Sequence, residues 1–259
     1  GHVAAVSQPT WAAMVSPYGN VHVFNGTTWL NSLKPTFVTG SWVFLGNETF
    51  GEAQTGSSKG QLSIDASSTF AVDYQLTVDP VDGGFHVTYD FIPRQDCMMQ
   101  YLDIDWLTPV ASYTGGTFTT DSGSVSIPSS YHDLTLYSGN TRKLAFTLPD
   151  AAKQFTITSP HAAVCTVQDN RQWSPDLDIR LDMQAGRNYN NSTGGAFTAG
   201  QTTTCDVTLK MKGGCVTGET PAKAKGASYD FSDQLINWSN ANGSTPPALN
   251  ECSFWSLGG

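Results

Sequence analysis

The feature that most constrains the fold of this chain is a strict alternation of apolar and polar residues over long stretches. Every second residue is apolar in segments 69–78 and 84–91, which is the period of a half-buried β-strand. The intervening segment 79–83 contains a proline and an Asp-Gly pair, residues that favour a turn. The two segments therefore predict a β-hairpin.

The same alternation recurs in short segments along most of the chain, and no window of helical length shows a sustained 3.6-residue period. Glycine, Asp-Gly and Pro-Asp turn signals separate nearly all of these segments. Together they predict an all-β protein built as two large antiparallel sheets packed face to face, a β-supersandwich. Further strands are predicted at 21–24, 36–44, 61–67, 100–106, 116–120, 125–127, 133–137, 143–148, 154–159, 163–169, 176–182 and 203–212.

A change of composition near Gly213 divides the chain into two parts. We assign 1–214 to the supersandwich, because its strands alternate up to this point. The remainder, 215–259, begins as a linker-like stretch rich in Gly, Thr, Lys and Pro. It ends in a tail that contains Phe254 and Trp255. Because Phe254 and Trp255 are costly to expose, we expect either that this tail docks on the sandwich or that the chain is a fragment.

Composition restricts the partners of the chain. Its 259 residues include 13 Lys and Arg against 22 Asp and Glu, which gives a net charge of −9. With no basic cluster, we expect no nucleic-acid partner, and without an apolar run of membrane-spanning length we expect no membrane partner. A charged fraction of only 14%, with abundant Ser, Thr, Gly and Asn, favours a secreted, extracellular or periplasmic protein.

Five cysteines leave the disulfide pattern open. Their spacing lacks the close pairs of a zinc site. A bridge between Cys215 and Cys252 would fasten the tail, whereas Cys165 and Cys205 lie in apolar runs that suit reduced core residues. We expect no cofactor, and the sequence leaves open whether the sandwich holds a structural calcium ion.

One region of the chain resembles a known family. It contains a Leu-Thr-Pro strand segment at 107–109, a hairpin, the sequence Gln-Asp-Asn-Arg-Gln-Trp at 168–173 and a closing strand at 204–211. In this order the elements resemble the N-terminal β-supersandwich module, of the galactose-mutarotase-like type, found on large bacterial polysaccharide-degrading enzymes. The resemblance covers about 61–232. It implies a carbohydrate-binding or accessory role, a polysaccharide or oligosaccharide ligand, and a catalytic domain in the same full-length chain.

Aromatic residues beside polar groups are the candidates for the binding site. Aromatic rings stack on the apolar faces of sugar rings, while amides, carboxylates and guanidinium groups bind hydroxyls. Both segment 168–173 and segment 101–106 offer this mixture. The predicted carbohydrate-binding residues are Trp173, Arg171, Asp169, Gln172, Trp106 and Tyr101. The structural alternative places the two tryptophans in the core and pairs Arg171 with Asp169 to fix a loop.

Catalysis is the second hypothesis. Most glycosidases need two carboxylates facing each other across the sugar, and Glu occurs only four times in the chain. Asp103, Asp105 or Asp178 could serve as acid or base with His86 as partner, but solvated strand faces explain the same pattern. No His and Glu at the spacing expected of mutarotase-type relatives is recognisable. We therefore expect a non-catalytic binding module, with a polysaccharide-active enzyme and a structural spacer as the alternatives.

Overall fold

The computed structural model describes residues 11–15, 21–25, 28–43, 48–50, 57–63, 71–81, 84–150, 154–182, 193–211, 222–223 and 253–257. These residues form seventeen strands and one short 3-10 turn, Val110–Ser112, and they include no α-helix. The strands are β1 (Trp11–Val15), β2 (Val21–Asn25), β3 (Thr28–Thr39), β4 (Glu48–Phe50), β5 (Ser57–Ser63), β6 (Ala71–Val81), β7 (Gly84–Pro93), β8 (Cys97–Pro109), β9 (Thr117–Thr120), β10 (Gly123–Ser126), β11 (Thr135–Thr147), β12 (Phe155–Asp169), β13 (Asp176–Asp182), β14 (Gly195–Phe197), β15 (Thr203–Met211), β16 (Ala222–Lys223) and β17 (Ser253–Leu257).

Two long strands, β11 and β12, join two antiparallel sheets. In the first sheet the order is β16-β17-β1-β2-β3-β8-β13-β12-β11, with β14 beside the start of β8. In the second sheet the order is β4-β5-β6-β7-β15-β12-β11-β9-β10. The predicted all-β, two-sheet antiparallel architecture is confirmed.

The bend that lets β11 and β12 serve both sheets lies near Thr141. The C-terminal part of β12 pairs with β13 and its N-terminal part pairs with β15, while 159–162 have no partner in the β11 ladder. The Thr141 hydroxyl donates to the Lys143 carbonyl oxygen at 2.8 Å and so holds the irregularity in β11. The sequence predicted two short strands in place of β11 and two in place of β12, and this was wrong. Local turn signals do not show that one strand continues through a bend and pairs on both sides of it.

The core lies between the two sheets and is built from alternate residues of their strands. Tyr74 on β6, Tyr89 and Phe91 on β7, and Phe37 on β3 are all fully buried. The Phe37 and Phe91 rings meet edge to face with 5.3 Å between their centroids, so side chains of the first sheet contact those of the second. Each such aromatic residue buries roughly 150–250 Å².

The predicted hairpin is confirmed as β6 and β7, and the predicted bounds of β13 match the structure. Strand β3 differs from its prediction: it ends at Thr39 rather than continuing to 44. Gly40 follows it in a turn where a Cβ atom would lie 2.4 Å from the Thr193 carbonyl oxygen.

At the edge of the first sheet, β17 pairs with β1, with Ala13 opposite Trp255. The boundary near 214 stays a prediction.

The described cysteines are reduced. Cys165 and Cys205 are buried in the core, as one of the two sequence hypotheses expected, and Cys97 is half-buried. Burial raises the pKa of the Cys165 thiol to about 12. Cys215 and Cys252, the proposed bridge, lie outside the described residues.

Candidate functional site

The turn between β12 and β13 is closed by backbone hydrogen bonds. Asn170 N donates to the Asp176 carbonyl oxygen at 3.0 Å. Two further amides, those of Trp173 and Ser174, donate to the Asn170 carbonyl oxygen at 2.9 and 2.8 Å. We call residues 169–176 the Trp173 turn. Because these three backbone amides are paired within the turn, the turn has a defined shape before any ligand arrives.

A charged pair fastens the base of the Trp173 turn. The Asp169 carboxylate is fully buried, and it accepts hydrogen bonds from Arg171 Nε at 2.9 Å and from Arg171 Nη2 at 2.5 Å. Arg171 Nη2 also donates to the Pro128 carbonyl oxygen at 2.9 Å, and the Arg171 amide donates to Asp169 Oδ1. This is the loop-fixing arrangement that the sequence left as the alternative, and such fork-shaped charged bonds are strong.

Two predicted site residues lie exposed on the same turn. Trp173 has 59% of its surface exposed, and Gln172 beside it is exposed as well. The structure therefore separates the predicted segment into two roles. Asp169 and Arg171 are occupied inside the protein, whereas Trp173 and Gln172 are presented to solvent.

A second carboxyl group, that of Asp176, lies buried beneath the turn. Asn170 Nδ2 donates to Asp176 Oδ1 at 2.7 Å. Burial raises the pKa of Asp176 above its ordinary value, since loss of hydration penalises the charged form. Hydrogen bonds from Ser174 and Asn170 oppose this effect, and the nearby carboxylates of Asp178 and Asp169 add to it.

Trp106 is placed in the core rather than at a surface. It lies on β8 between Leu33 of β3 and Ile179 of β13 in the sheet register, and none of its surface is exposed. A ring with no exposed face has no surface on which a sugar can stack. This corrects its prediction as a carbohydrate-binding residue and matches the core alternative.

Tyr101 lies on the opposite face of β8 from Trp106 and is half-buried. Its ring meets the Trp42 ring edge to face, at 5.7 Å between centroids and 80° between planes. The Arg180 guanidinium carbon lies 5.4 Å from the centroid of the Tyr101 ring. Trp42 has 45% of its surface exposed. Sequence reasoning missed Trp42 because it placed this residue inside a strand; the Gly40-Ser41 pair was the available turn signal.

Arg180 is held by Asp178, which lies two residues before it on β13. Arg180 Nη2 and Nε lie 2.8 and 3.0 Å from Asp178 Oδ2, and Asp178 is 6% exposed. In the sheet register Asp103 lies opposite Asp182 and Asp105 opposite Arg180. The side chains of Asp103 and Asp105 lie outside the described residues, so their catalytic role stays a prediction.

The structure does not bring His86 and Asp178 together. His86 lies on β7 and contacts the Asp206 carboxylate of β15, in the second sheet, whereas Asp178 lies on β13 in the first. Both residues alternate with core residues of their own strands. Because the core lies between the sheets, their polar faces point away from each other, and this acid–base pair is not formed.

Among the residues that the structure describes, no group of three or more His, Cys, Asp or Glu side chains is placed to hold a metal ion. This described part of the chain also contains no helix long and apolar enough to span a bilayer.

Known proteins resemble this chain in structure rather than in sequence. Neither a protein-family model nor a curated protein matches the sequence. A galactose mutarotase-like protein from Lactobacillus casei superposes with a TM-score of 0.50 at 9% identity, over 78% of this chain and 97% of that protein. This likeness shows the fold alone, and it agrees with the two-sheet sandwich described above.

Two larger enzymes share less of their length with the chain. An alpha-N-acetylgalactosaminidase from Bifidobacterium bifidum matches at TM-score 0.48 and 10% identity, over 80% of this chain. A 4-alpha-glucanotransferase from Thermococcus litoralis matches at TM-score 0.43 and 8% identity, over 77% of this chain. The chain spans 35% and 37% of the length of these two enzymes.

Proposed function

We propose that the chain is a non-catalytic carbohydrate-binding module of an exported polysaccharide-degrading enzyme, and that it binds glycan through Trp173. The observation that carries the proposal is the indole of Trp173, 59% exposed on a turn whose base is fixed by a buried ion pair. An exposed aromatic ring on a turn of defined shape offers a flat apolar face to a ligand.

The binding step follows from this geometry. The Trp173 ring stacks on the C–H face of a sugar and removes apolar surface of both partners from water. Gln172 carries an amide that can donate to and accept from sugar hydroxyls. Asp169 and Arg171 are positioning residues, since they hold the turn without reaching a ligand. Because the turn is ordered beforehand, little entropy is lost when the glycan docks.

The carbohydrate context rests on two supports. One is the sequence resemblance to the supersandwich modules of polysaccharide-degrading enzymes. The other is the similarity of the fold to a protein described as galactose mutarotase-like. The low charged fraction of 14% supports the exported location.

Affinity electrophoresis through gels containing soluble polysaccharides tests the proposal. We expect at least one glycan to retard the protein, and Trp173→Ala to weaken binding about tenfold, which corresponds to roughly 1.4 kcal/mol of stacking. Leu134→Ala is the matched control, because Leu134 is an exposed apolar residue whose carbonyl oxygen accepts from the Asp169 amide at the same turn.

Two results would contradict the proposal. Absence of retardation across neutral and acidic polysaccharides would favour a structural spacer. Release of reducing sugar or of unsaturated product in the same samples would favour an enzyme. Near-ultraviolet circular dichroism of each variant confirms that the fold is retained.

A further inference from the structure

A second exposed tryptophan lies far from the Trp173 turn. Trp42 follows the turn after β3 and meets Tyr101 edge to face. The Arg180 guanidinium lies over the Tyr101 ring within cation–π range. We call Trp42, Tyr101 and Arg180 the Trp42 corner.

The Trp42 corner is distant from the Trp173 turn. Tyr101 precedes Pro109 by eight residues on β8, and Pro109 pairs with Asp176 at the Trp173 turn. At about 3.3 Å per residue, the corner and the turn are roughly 25 Å apart along the strand.

The backbone at Trp42 is strained, and the surrounding hydrogen bonds maintain the strain. Its φ is 65°, the left-handed region that bulky residues avoid. Trp42 N donates to the Thr39 carbonyl oxygen, and Thr39 N donates to the Val43 carbonyl oxygen, both at 2.9 Å. Val43 N donates to Thr39 Oγ1 at 3.0 Å. These bonds close a three-residue turn, Gly40 to Trp42, whose last residue adopts the left-handed conformation and is usually glycine. The turn accounts for the φ of Trp42 but does not require a bulky side chain there, and a bulky residue kept in this conformation points to a functional position.

We propose that the Trp42 corner is a second sugar-contacting site, and that it takes neutral rather than acidic glycans. The proposal rests on the carbohydrate-binding function proposed above and assigns it a separate contact and a ligand class. Two rings set at 80° form an aromatic corner, in which one sugar ring can lie against the face of one side chain and the edge of the other.

The charges around the corner select the ligand class. The guanidinium of Arg180 is paired with the Asp178 carboxylate, so its charge is already balanced. Asp182 lies on the same face of β13 as Arg180, at the end of the strand nearer Tyr101 in the sheet register, and the whole chain carries a net charge of −9. An acidic polysaccharide would approach a surface of its own sign, whereas the hydroxyls of a neutral sugar can accept hydrogen bonds from the Arg180 guanidinium.

Trp42→Gly is the most informative variant, because glycine adopts the φ of this position without strain while the ring is removed. Val43→Ala is its matched control: Val43 is 51% exposed beside Trp42 but has no aromatic face. We expect Trp42→Gly to weaken binding of a neutral soluble polysaccharide, such as galactomannan, xylan or hydroxyethyl cellulose, at least fivefold. Val43→Ala should change it less than twofold, and Trp42→Phe should restore part of the affinity.

Ligand class is tested with polygalacturonate and alginate at low and high salt. Binding of neutral glycan that is insensitive to ionic strength, together with binding to these two polymers at least tenfold weaker, supports the proposal. Stronger binding to the acidic polymers that weakens with salt would overturn it.

A measurement on the unaltered protein tests the same site without depending on the folding of any variant. Oxidation of tryptophan by N-bromosuccinimide, followed by peptide mapping, should be slowed at Trp42 by bound glycan, while Trp106 stays unoxidised because it is buried. Protection at Trp173 but not at Trp42, with unchanged affinity in Trp42→Gly, would refute the second site and leave the proposed function intact. Failure of every glycan to bind would refute both.

Discussion

Trp106 and Trp173 belong to the same predicted site, yet the structure gives them opposite environments. Trp106 is fully buried in the middle of β8, and Trp173 is 59% exposed on a turn. Trp106 follows the buried residues Leu102 and Ile104 at intervals of two on its strand, so its side is fixed by the strand period. Trp173 follows a strand end, where the period no longer applies.

The comparison shows that polar neighbours in sequence are a poor guide to the exposure of an aromatic residue. Asp105 adjoins Trp106 along the chain, but successive side chains of a strand point to opposite faces, so a polar neighbour in sequence does not indicate the environment of Trp106. The neighbours of Trp173 lie in a turn, where Arg171 is drawn inward to the Asp169 carboxylate and the indole is left outside.

Trp106→Ala should lower the free energy of unfolding by about 3–5 kcal/mol, because it leaves a cavity in the core. Trp173→Ala should change it by less than about 0.5 kcal/mol. Urea denaturation followed by circular dichroism measures both. Trp106→Phe should cost less than Trp106→Ala, since Trp106 Nε1 has no hydrogen-bond partner among the described residues and none is lost. Equal destabilisation by the two Ala variants would contradict the assigned environments.

Asp169→Asn should lower the free energy of unfolding by about 3 kcal/mol, because it leaves the Arg171 guanidinium, whose side chain is 13% exposed, without its carboxylate. Asp133→Asn serves as control, since its carboxylate is 74% exposed and should contribute little. The same urea titrations apply. A loss no larger than that of the control would mean that the ion pair does not hold the Trp173 turn.

Trp42→Gly should be more stable than Trp42→Ala by about 1 kcal/mol, because glycine tolerates a φ of 65° and alanine does not. Differential scanning calorimetry of the two variants at neutral pH gives the difference. The two variants extend the comparison of Trp106 with Trp173 to Trp42, an exposed tryptophan with a strained backbone. Alanine matching or exceeding glycine would show that the left-handed conformation is absent in solution.

Asp176→Asn should change the pH dependence of stability by a small amount. Because the pKa of Asp176 is raised on folding, the folded state holds its proton more tightly, and stability falls as pH rises through the interval above the unfolded pKa. The variant lacks this loss, so its stability relative to the parent protein should improve as the pH rises above about 4, the ordinary pKa of an unfolded Asp side chain. Urea midpoints across this range provide the test, and an opposite trend would contradict the direction of the shift.

Much of the fold was predictable because strand alternation is a local property. The hairpin of β6 and β7, the bounds of β13 and the two-sheet class all follow from a period of two residues. The continuity of β11 and β12 through their bend was not, since it depends on pairing with β13 in one sheet and β15 in the other. Of the candidate site, the sequence identified Trp173 but missed Trp42, whose exposure follows from the turn at Gly40.

The sequence by itself determined which residues face the core along each strand and hence the all-β class, because side-chain direction alternates with the backbone whatever the partner strand is. Only the tertiary structure decided which charged groups of different strands pair and which aromatic rings remain at the surface. The Arg180–Tyr101 contact, the His86–Asp206 pair and the separation of His86 from Asp178 all depend on strand order and sheet packing. Such contacts join residues distant along the chain, and short-range patterns carry no information about the distance between them.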